Sequence, residues 1–314
     1  MRIALVTPAG AGMRNGNRHT ALRWAAFLRA AGHRVTVATE WTGDARTDLL
    51  LALHARRSHA SIRAFAQAHP DRPLIVALTG TDIYRDIHTS GEAQESLRLG
   101  SRFIVLQPMA ARELPRELRA KVCVVVQSCA SRLRHRPVKK GFRVCVVGHL
   151  REEKDPLRTY AALRLLPPRL PVEVVQLGSA LDPLLEREAR AGMRADARYR
   201  WLGNVPHARA LAWMASSHAM VISSRMEGGA NVVCEALRIG LPVLASRISG
   251  NIGLLGATYP GYYPVENAKA LARLLRRASQ DAGFYGRLKG TVAALRSRVA
   301  PANEARALLR AVQR

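Results

Sequence analysis

Two glutamates flank a Gly-Gly turn in the second half of the chain, where both carboxylates can bind hydroxyl groups. Glu227 follows the apolar run 219–223, and Glu235 stands eight residues further on, in a predicted helix. A turn of this kind aims unpaired backbone N–H groups and a helix N-terminus at one place, which suits an anion such as phosphate, and glycine lets the backbone approach a ligand closely. Carboxylates that accept hydrogen bonds from sugar hydroxyls beside a phosphate site predict a nucleotide-sugar ligand.

The turn belongs to a longer run with specific spacing, E-G-G-A-N-V-V-x-E-A-L-x-x-G-x-P-V-x-A-S, from Glu227 to Ser246. This run resembles the donor-site signature of the family 4 glycosyltransferases, which have the GT-B fold. The resemblance implies that Glu235 binds the ribose of a nucleoside diphosphate and that Glu227 faces the donor sugar. The alternative is an ordinary strand–turn–helix with solvated glutamates. The other donor-binding candidates of the turn are Gly228, Gly229, Ala230, Asn231, Val232 and Val233.

The order of the predicted elements indicates two α/β halves. Strands alternate with helices as far as residue 126, and the pattern restarts with a strand at 142–148. Such alternation predicts parallel sheets covered on both faces by helices. With the resemblance, it predicts an α/β protein of the GT-B fold, in which two doubly wound Rossmann-like domains face each other across a cleft. The expected parts are an acceptor domain at 1–130, a basic linker at 131–141, and a nucleotide-sugar domain at 142–314 whose last helix can pack back on the first domain.

Several boundaries within these halves are predicted from local pattern. A helix is expected at His19–Ala31 and another near Met109–Leu114, before a strand at Lys121–Val126. In the second half, Leu241–Ala245 is predicted as the last clear core strand, and helices follow from Ala268.

A candidate phosphate-binding turn follows the first strand of the second half. It reads G-H-L-R-E-E-K-D-P, whereas the family pattern is G-R-L-x-x-x-K-G, whose arginine and lysine neutralise the donor diphosphate. Lys154 holds the lysine place, His149 replaces the arginine, and Asp155 replaces the glycine. Arg151 is the candidate for the second cation, because arginine matches the bidentate geometry of phosphate. The alternative for Lys154 is a solvated lysine at the start of a helix.

A second turn, Trp201–Pro206, resembles the family turn whose backbone pairs with the uracil edge. Gly203 and Asn204 lie at its centre and are donor-binding candidates. The alternative is a plain strand-to-helix turn.

A glycine-rich loop at residues 7–20 leads into the first predicted helix. Such loops favour phosphate binding, and the arginines and asparagines here offer many donors and few acceptors. The GT-B resemblance assigns the acceptor substrate to this domain, so an anionic acceptor is expected. The alternative is a flexible loop in an arginine-rich chain. The candidate residues of the loop are Gly10, Gly12, Arg14, Asn17 and Arg18.

Polar side chains also follow the third and fourth predicted strands. His54, Arg56 and Arg57 follow one, and Thr81 and Asp82 follow the other. His54 is either an acid–base group or a structural histidine. Asp82 either orients a ligand hydroxyl or caps the next helix. With Glu227 and Lys154, His54 completes the set of candidate catalytic residues.

Segments over nearly the whole chain resemble the selenosugar synthases of selenoneine biosynthesis, a group within these glycosyltransferases. The segments include N-R-x-T-A-L-R-W, L-H-A-R-R-S, A-L-T-G-T-D-I-Y-R-D and S-S-R-M-E-G-G-A-N-V-V. The resemblance implies that selenophosphate is joined to a UDP-sugar, chiefly UDP-N-acetylglucosamine, to give a 1-selenosugar. Selenophosphate is anionic and already nucleophilic, so it needs positioning and charge neutralisation more than a general base. Arg14, Arg18, Arg56 and Arg57 are suited to both.

The net charge of +26 and the pI of about 11.4 raise the possibility of a nucleic-acid partner. Arginine supplies 43 of the 49 basic residues, and the excess is scattered over many helices. The chain has no aromatic-rich ribonucleoprotein motif and no helix-turn-helix pattern. We therefore expect no nucleic-acid partner, and the charge fits a basic cleft for small phosphorylated ligands.

The apolar runs and the cysteines indicate whether the chain is a membrane, secreted, disulfide-bonded or metal-binding protein. No apolar run approaches the roughly 18–20 residues of a membrane span, and the N-terminal run is too short for a signal peptide, so a cytoplasmic protein without stable membrane association is expected. The four cysteines form no C-x-x-C pair and no zinc-finger spacing. Free thiols, no metal and no cofactor are expected.

Two other functions stay open at this point, as does the oligomeric state. One is a family 4 glycosyltransferase with a lipid or polysaccharide acceptor, which the basic helix with Trp24 and Phe27 can support by docking on a membrane. These aromatic residues fit better as the core face of that helix. The other is a nucleotide-sugar or nucleic-acid binding protein without turnover.

Overall fold

The computed structural model describes residues 1–10 and 16–313, and it divides into two compact units. The first unit comprises Met1–Gln127, Glu227–Gly229 and Pro301–Arg314. The second comprises Ser128–Met226 and Ala230–Ala300.

Strands and helices alternate along both units. In chain order the strands are β1 (Arg2–Val6), β2 (Arg34–Ala38), β3 (Leu49–Leu53), β4 (Leu74–Leu78), β5 (Arg102–Val105), β6 (Val122–Val124), β7 (Phe142–Val147), β8 (Val172–Leu177), β9 (Tyr199–Trp201), β10 (Ala219–Ile222), β11 (Val243–Ser246) and β12 (Tyr262–Tyr263). The α-helices are α1 (Gly16–Ala30), α2 (His59–Ala68), α3 (Ile87–Thr89), α4 (Gly91–Leu99), α5 (Arg158–Leu163), α6 (Pro183–Ala195), α7 (His207–Ser216), α8 (Asn231–Ile239), α9 (Ser249–Leu255), α10 (Ala268–Gln280), α11 (Ala282–Leu295) and α12 (Pro301–Gln313).

The first unit is built on a parallel sheet in the order β2-β1-β3-β4-β5-β6. Every residue of β3 and β4 is buried. Their continuous apolar sequences match this position, because a parallel strand covered by helices on both faces has no polar side. Two apolar clusters lie on the two faces of the sheet, one including Trp24 and Leu51 and the other including Phe65 and Leu50.

The second unit repeats this architecture with the strand order β12-β11-β10-β7-β8-β9, again parallel. The first strand of the unit, β7, is central and has β10 on one side and β8 on the other. The predicted class, two doubly wound Rossmann-like α/β domains, is confirmed.

The C-terminal helix α12 belongs to the first unit and contacts α1. Glu304 on α12 is 1% exposed, and its carboxylate accepts hydrogen bonds from Arg23 Nε at 2.8 Å and Trp24 Nε1 at 2.7 Å. Trp24 and Leu28 are fully buried, so the prediction that the aromatic face of α1 is a core face is confirmed. That face is not available to dock on a membrane.

Some predicted elements differ from the structure. The helix expected near Met109–Leu114 is a 3-10 helix, Pro108–Glu113, started by the side chain of Gln107, which accepts from Met109 N. A second 3-10 helix takes the chain to residue 121, so the strand expected at Lys121–Val126 is reduced to β6.

The end of the second unit also differs from the prediction. Leu241 N still bonds to Ala236 O after Gly240 has turned the chain at φ 91°, so β11 begins only at Val243. A two-residue strand that was not predicted, β12, follows β11 and pairs with it at the edge of the sheet.

The segment predicted as a basic linker, residues 131–141, contains no helix or strand. Its backbone is nevertheless bonded to the second unit. His135 N donates to Ile239 O at 3.0 Å, and Arg136 N donates to Ala215 O at 2.8 Å. The segment is therefore part of that unit and not a free tether.

Candidate functional site

A pocket in the second unit opens at the carboxyl ends of β7 and β10. The chain continues from β7 to β8 on one side and places β10 on the other, so the strand order changes direction here. Ligands of open α/β sheets bind at such switch points. The lining includes Gly148, His149, Lys154, Ser223 and Ser224. The turn after β7, which the sequence predicts to bind a diphosphate, therefore lies where this type of sheet favours a ligand.

The backbone that carries Lys154 is tied to the end of β10. Lys154 ends a short 3-10 turn, Glu152–Lys154. The Ser223 hydroxyl lies 3.0 Å from the carbonyl oxygen of Lys154 and 2.8 Å from that of Asp155, so it donates to this turn. Arg225 N also donates to the carbonyl of Glu153 at 2.9 Å. These bonds hold the Lys154 backbone against the strand that leads to the Gly-Gly turn.

Asp155 shows how the turn tolerates the loss of the family glycine. Its φ of 44° lies in the left-handed region that glycine adopts freely. Aspartate is one of the few other residues that visit this region, because its short side chain bonds locally. The Asp155 carboxylate does so here, accepting from Arg158 Nε at 2.7 Å. The departure therefore leaves the turn geometry possible.

The second predicted cation is less well placed than the histidine beside it. His149 lines the pocket, and its Nδ1 accepts from Ser179 N at 3.1 Å. Arg151 is exposed, is absent from the pocket lining, and has its guanidinium Nε 4.0 Å from the carboxylate of Glu153. Within this pocket the structure brings Lys154 and His149 together but does not add Arg151.

Glu235 lies on the second turn of α8, and its side chain is 14% exposed. Its Oε1 is 2.7 Å from Nε2 of His207, the first residue of α7. The hydrogen bond with this carboxylate raises the pKa of His207 and so favours the charged imidazolium. His207 was not among the predicted site residues, although it directly follows the predicted uracil turn.

The turn at Gly203 and Asn204 is anchored on both sides. Gly203 adopts φ 65°, a left-handed conformation that suits glycine, and its carbonyl accepts from Gly178 N at 2.8 Å. The flanking Leu202 and Val205 pack against a small apolar cluster around Leu177. The side chain of Asn204 is exposed. The turn therefore has a fixed backbone with an accessible edge.

The three residues Glu227–Gly229 belong to the first unit. A Cβ on Gly228 would overlap the carbonyl of Thr79, and a Cβ on Gly229 would overlap the side chain of Leu106. Close approach to protein atoms is thus one reason for both glycines, in addition to the approach to a ligand that the sequence predicts. Glu227 itself is buried, at 8% exposure.

His54 ends up in an unusual backbone conformation beside a buried polar group. Its φ is 76°, and the residue is 3% exposed. Arg57 N donates to Nδ1 at 3.3 Å, so in the neutral ring the proton is on Nε2, which lies 3.2 Å from Thr81 Oγ1. Burial lowers the pKa of His54, with Asp82 opposing this shift. A neutral ring that donates to Thr81 favours the structural alternative over a general base.

The two aspartates near His54 have different roles. Asp82 is fully buried, and its oxygens accept from the backbone N–H groups of Ala55, Thr79 and Gly80, which all precede it in the chain. It therefore does not cap the helical turn that follows, and instead joins the segment after β3 to the segment after β4. Asp86 lies one π-helical turn later and accepts from Arg56 Nε at 2.9 Å. This hydrogen bond and one from Arg85 lower the pKa of Asp86 against the opposing effect of its burial. Asp86 was not among the predicted site residues, and its carboxylate partly neutralises the charge of Arg56.

Of the glycine-rich loop, Gly10 is described, whereas Gly12 and Arg14 lie outside the described residues. Asn17 and Arg18 were predicted on this loop but lie in the first turn of α1, because the helix begins at Gly16 rather than at His19. The Thr20 hydroxyl donates to Gly16 O at 2.9 Å within this turn. Backbone N–H groups of a first helical turn favour anions, so the new placement keeps the predicted chemistry.

Within residues 1–10 and 16–313, no helix combines the length and apolar character that crossing a membrane requires. Over the same ranges, no group of three or more His, Cys, Asp or Glu side chains is arranged to hold a metal ion.

Two Rossmann-like α/β units, each built on a parallel sheet, are the architecture of the GT-B fold. The chain belongs to the family "Glycosyl transferases group 1", whose model matches residues 130–291. Anabaena Alr3699/HepE in complex with UDP-glucose has a similar fold, with a TM-score of 0.80 and 17% identity over 99% of this chain and 98% of that chain. The sucrose-phosphate synthase of Thermosynechococcus elongatus is also similar in fold, with a TM-score of 0.73 and 17% sequence identity over 98% of both chains. The lipopolysaccharide outer core galactosyltransferase WaaB has a TM-score of 0.70 and 12% sequence identity over 99% of both chains.

Proposed function

We propose that this glycosyltransferase joins selenophosphate to a UDP-sugar, with UDP-N-acetylglucosamine as the favoured donor, and forms a 1-selenosugar, UDP and phosphate. The observation that carries the donor half is the switch-point pocket lined by Lys154 and His149, in the same unit as Glu235. The selenium half rests on the resemblance of the first-unit segments to the selenosugar synthases. The UDP-glucose complex of Alr3699/HepE supports a UDP-sugar as donor.

In this proposal each donor residue has a separate role. Lys154 neutralises the diphosphate, and its ammonium stabilises the leaving UDP more strongly as UDP gains negative charge. Glu235 accepts hydrogen bonds from the ribose hydroxyls, and the Gly203–Asn204 turn pairs with the uracil edge. Glu227 accepts from hydroxyls of the transferred sugar.

The acceptor is held by arginines of the first unit. The candidates among the described residues are Arg18 on the first turn of α1, the exposed Arg57, and Arg56, which also pairs with Asp86. Arginine gives phosphate two parallel hydrogen bonds as well as charge. Arg14 completes the predicted set on the preceding loop.

The reaction is a substitution followed by a hydrolysis. A lone pair of selenium attacks the anomeric carbon while the bond from that carbon to the UDP oxygen breaks, and UDP leaves with the electron pair. Water then cleaves the phosphorus–selenium bond, so that phosphate departs and the selenol stays on the sugar. The first step needs alignment and charge neutralisation, since selenophosphate is ionised at neutral pH.

UDP release from UDP-N-acetylglucosamine separates this function from its two alternatives. The assay runs with selenophosphate, with a lipid or polysaccharide acceptor preparation, and with no acceptor. The proposal expects UDP only with selenophosphate. Release only with the lipid or polysaccharide acceptor would support the conventional glycosyltransferase, and UDP binding without release under all three conditions would support a binding protein.

A further inference from the structure

His207 sits between two predicted donor contacts in the second unit. It directly follows the turn of Gly203 and Asn204, and its Nε2 is 2.7 Å from Glu235 Oε1. The two residues are 28 positions apart and meet because α7 packs against α8. The imidazole is 55% exposed, whereas the Glu235 carboxylate is 14% exposed. The imidazole is thus accessible to solvent, whereas the carboxylate that it contacts is mostly enclosed.

The backbone of His207 is fixed from the turn side. Pro206 precedes it as the N-cap of α7, and Gly203 is held by its bond to Gly178. Along α7, Ala210 is part of the apolar cluster that also holds the turn. A displacement of the turn therefore moves the imidazole, and with it the hydrogen bond to Glu235.

The hydrogen bond leaves Glu235 able to bind a ribose. A carboxylate has two oxygens with about four lone-pair sites, and His207 occupies one of them. The other oxygen can accept from vicinal hydroxyls. A rotamer of Glu235 held by a neighbour loses less conformational entropy on ligand binding than a mobile one.

We propose that His207 is a positioning residue for Glu235, which aims the carboxylate at the ribose and couples it to the uracil turn. This inference rests on the proposed donor site and concerns the nucleoside half of the ligand only. It predicts an effect on UDP and UDP-sugar binding alike, and none on the acceptor.

Two variants test the hydrogen bond. His207→Phe keeps a flat ring without an N–H donor, whereas His207→Gln keeps a donor of similar reach. Isothermal titration with UDP is expected to show Kd raised about fivefold to twentyfold in His207→Phe, and mostly restored in His207→Gln. The KM for UDP-N-acetylglucosamine should rise with Kd while kcat changes little, because a contact equal in ground and transition states is lost. Glu186→Gln, which breaks an exposed ion pair on α6, is the matched control.

A double variant separates this proposal from the donor site itself. If His207 acts through Glu235, His207→Phe adds no further loss to Glu235→Gln. Normal UDP binding by His207→Phe, equal loss in both His207 variants, or full additivity would each overturn the positioning role while leaving the donor site intact. Unchanged UDP binding by Glu235→Gln would instead refute the donor-site assignment, and with it this inference.

Discussion

The hydroxyl of Ser223, directly after β10, lies 3.0 Å from the carbonyl oxygen of Lys154. This contact joins the two strand ends that form the switch-point pocket, because Lys154 stands on the turn after β7. The sequence predicts that Lys154 neutralises the donor diphosphate. The backbone that carries this lysine is therefore fixed by a hydrogen bond to the end of the neighbouring strand, β10.

Lys154→Ala is expected to lower kcat about 10²-fold to 10³-fold, with a smaller rise in the KM for the UDP-sugar. The reason is that the ammonium interacts most strongly with the leaving group in the transition state. Steady-state kinetics with UDP-N-acetylglucosamine and selenophosphate provide the measurement. Lys269→Ala removes an exposed lysine of α10 in the same unit and should leave both constants unchanged. Equal kinetics of the two variants would contradict the role of Lys154.

Substitutions of Glu227 and Glu235, which flank the Gly-Gly turn, should affect sugar binding and UDP binding separately. Glu235→Ala is expected to weaken the binding free energy of UDP by roughly 1.5–3 kcal/mol, because charged hydrogen bonds to the ribose are lost. Glu227→Gln should leave the Kd of UDP unchanged and lower turnover of the UDP-sugar. Titration with UDP and kinetics with the UDP-sugar test both statements, and a reversed pattern would exchange the two assignments.

Arg18→Ala is expected to raise the KM for selenophosphate about tenfold, with the KM for UDP-N-acetylglucosamine nearly unchanged. Arg18→Lys should rescue only part of this loss, since lysine cannot make the bidentate contact. Saturation curves in selenophosphate measure both effects. Arg98→Ala, at an exposed position on α4, controls for the general loss of positive charge. Arg14→Ala should resemble Arg18→Ala if both hold the same anion.

Activity should survive EDTA, because the candidate residues include no set of metal ligands and, in the proposed site, Lys154 supplies the positive charge at the diphosphate. UDP release is measured before and after dialysis against the chelator. Loss of activity that a divalent cation restores would contradict this expectation.

Glu304 should anchor the C-terminal helix in the first unit. Glu304→Ala is expected to lower the free energy of unfolding by about 3 kcal/mol, because it leaves the Arg23 guanidinium and the Trp24 N–H without their buried carboxylate. Glu304→Gln keeps an oxygen for these donors and should lose less. Urea unfolding provides the comparison, with Glu186→Ala as the exposed control. Similar unfolding midpoints for the Glu304→Ala and Glu186→Ala variants would show that the buried contact contributes little.

The buried strands were accessible from sequence because they are continuous apolar runs, whereas the order of the strands in each sheet was not predicted. The apolar runs predict strands at Leu49–Leu53 and Leu74–Leu78, and β3 and β4 have these bounds. Helix α4 was missed because its sequence, GEAQESLRL, has a short apolar pattern and depends on a cap, in which Ser90 accepts from Ala93 N. Strand β12 has two residues, too few to show a period.

The candidate site also contains residues that local sequence patterns predict and residues that they do not. Lys154 and Glu235 were selected from motif spacing alone, and they lie on the turn after β7 and on α8, respectively. Their roles stay predictions. The partner of Glu235 was not selected, because His207 meets it only through the packing of α7 on α8. The pairing of Arg56 with Asp86 likewise depends on a π-helical turn that no local pattern predicts.

Product stoichiometry tests the central claim most directly. The enzyme is incubated with UDP-N-acetylglucosamine and limiting selenophosphate, and UDP, phosphate and selenium-containing sugar are quantified by chromatography with mass detection. The account predicts equal amounts of all three, with the selenium on the sugar, and no products when either substrate is omitted. UDP formation that does not depend on selenophosphate, or a sugar product without selenium, would contradict it.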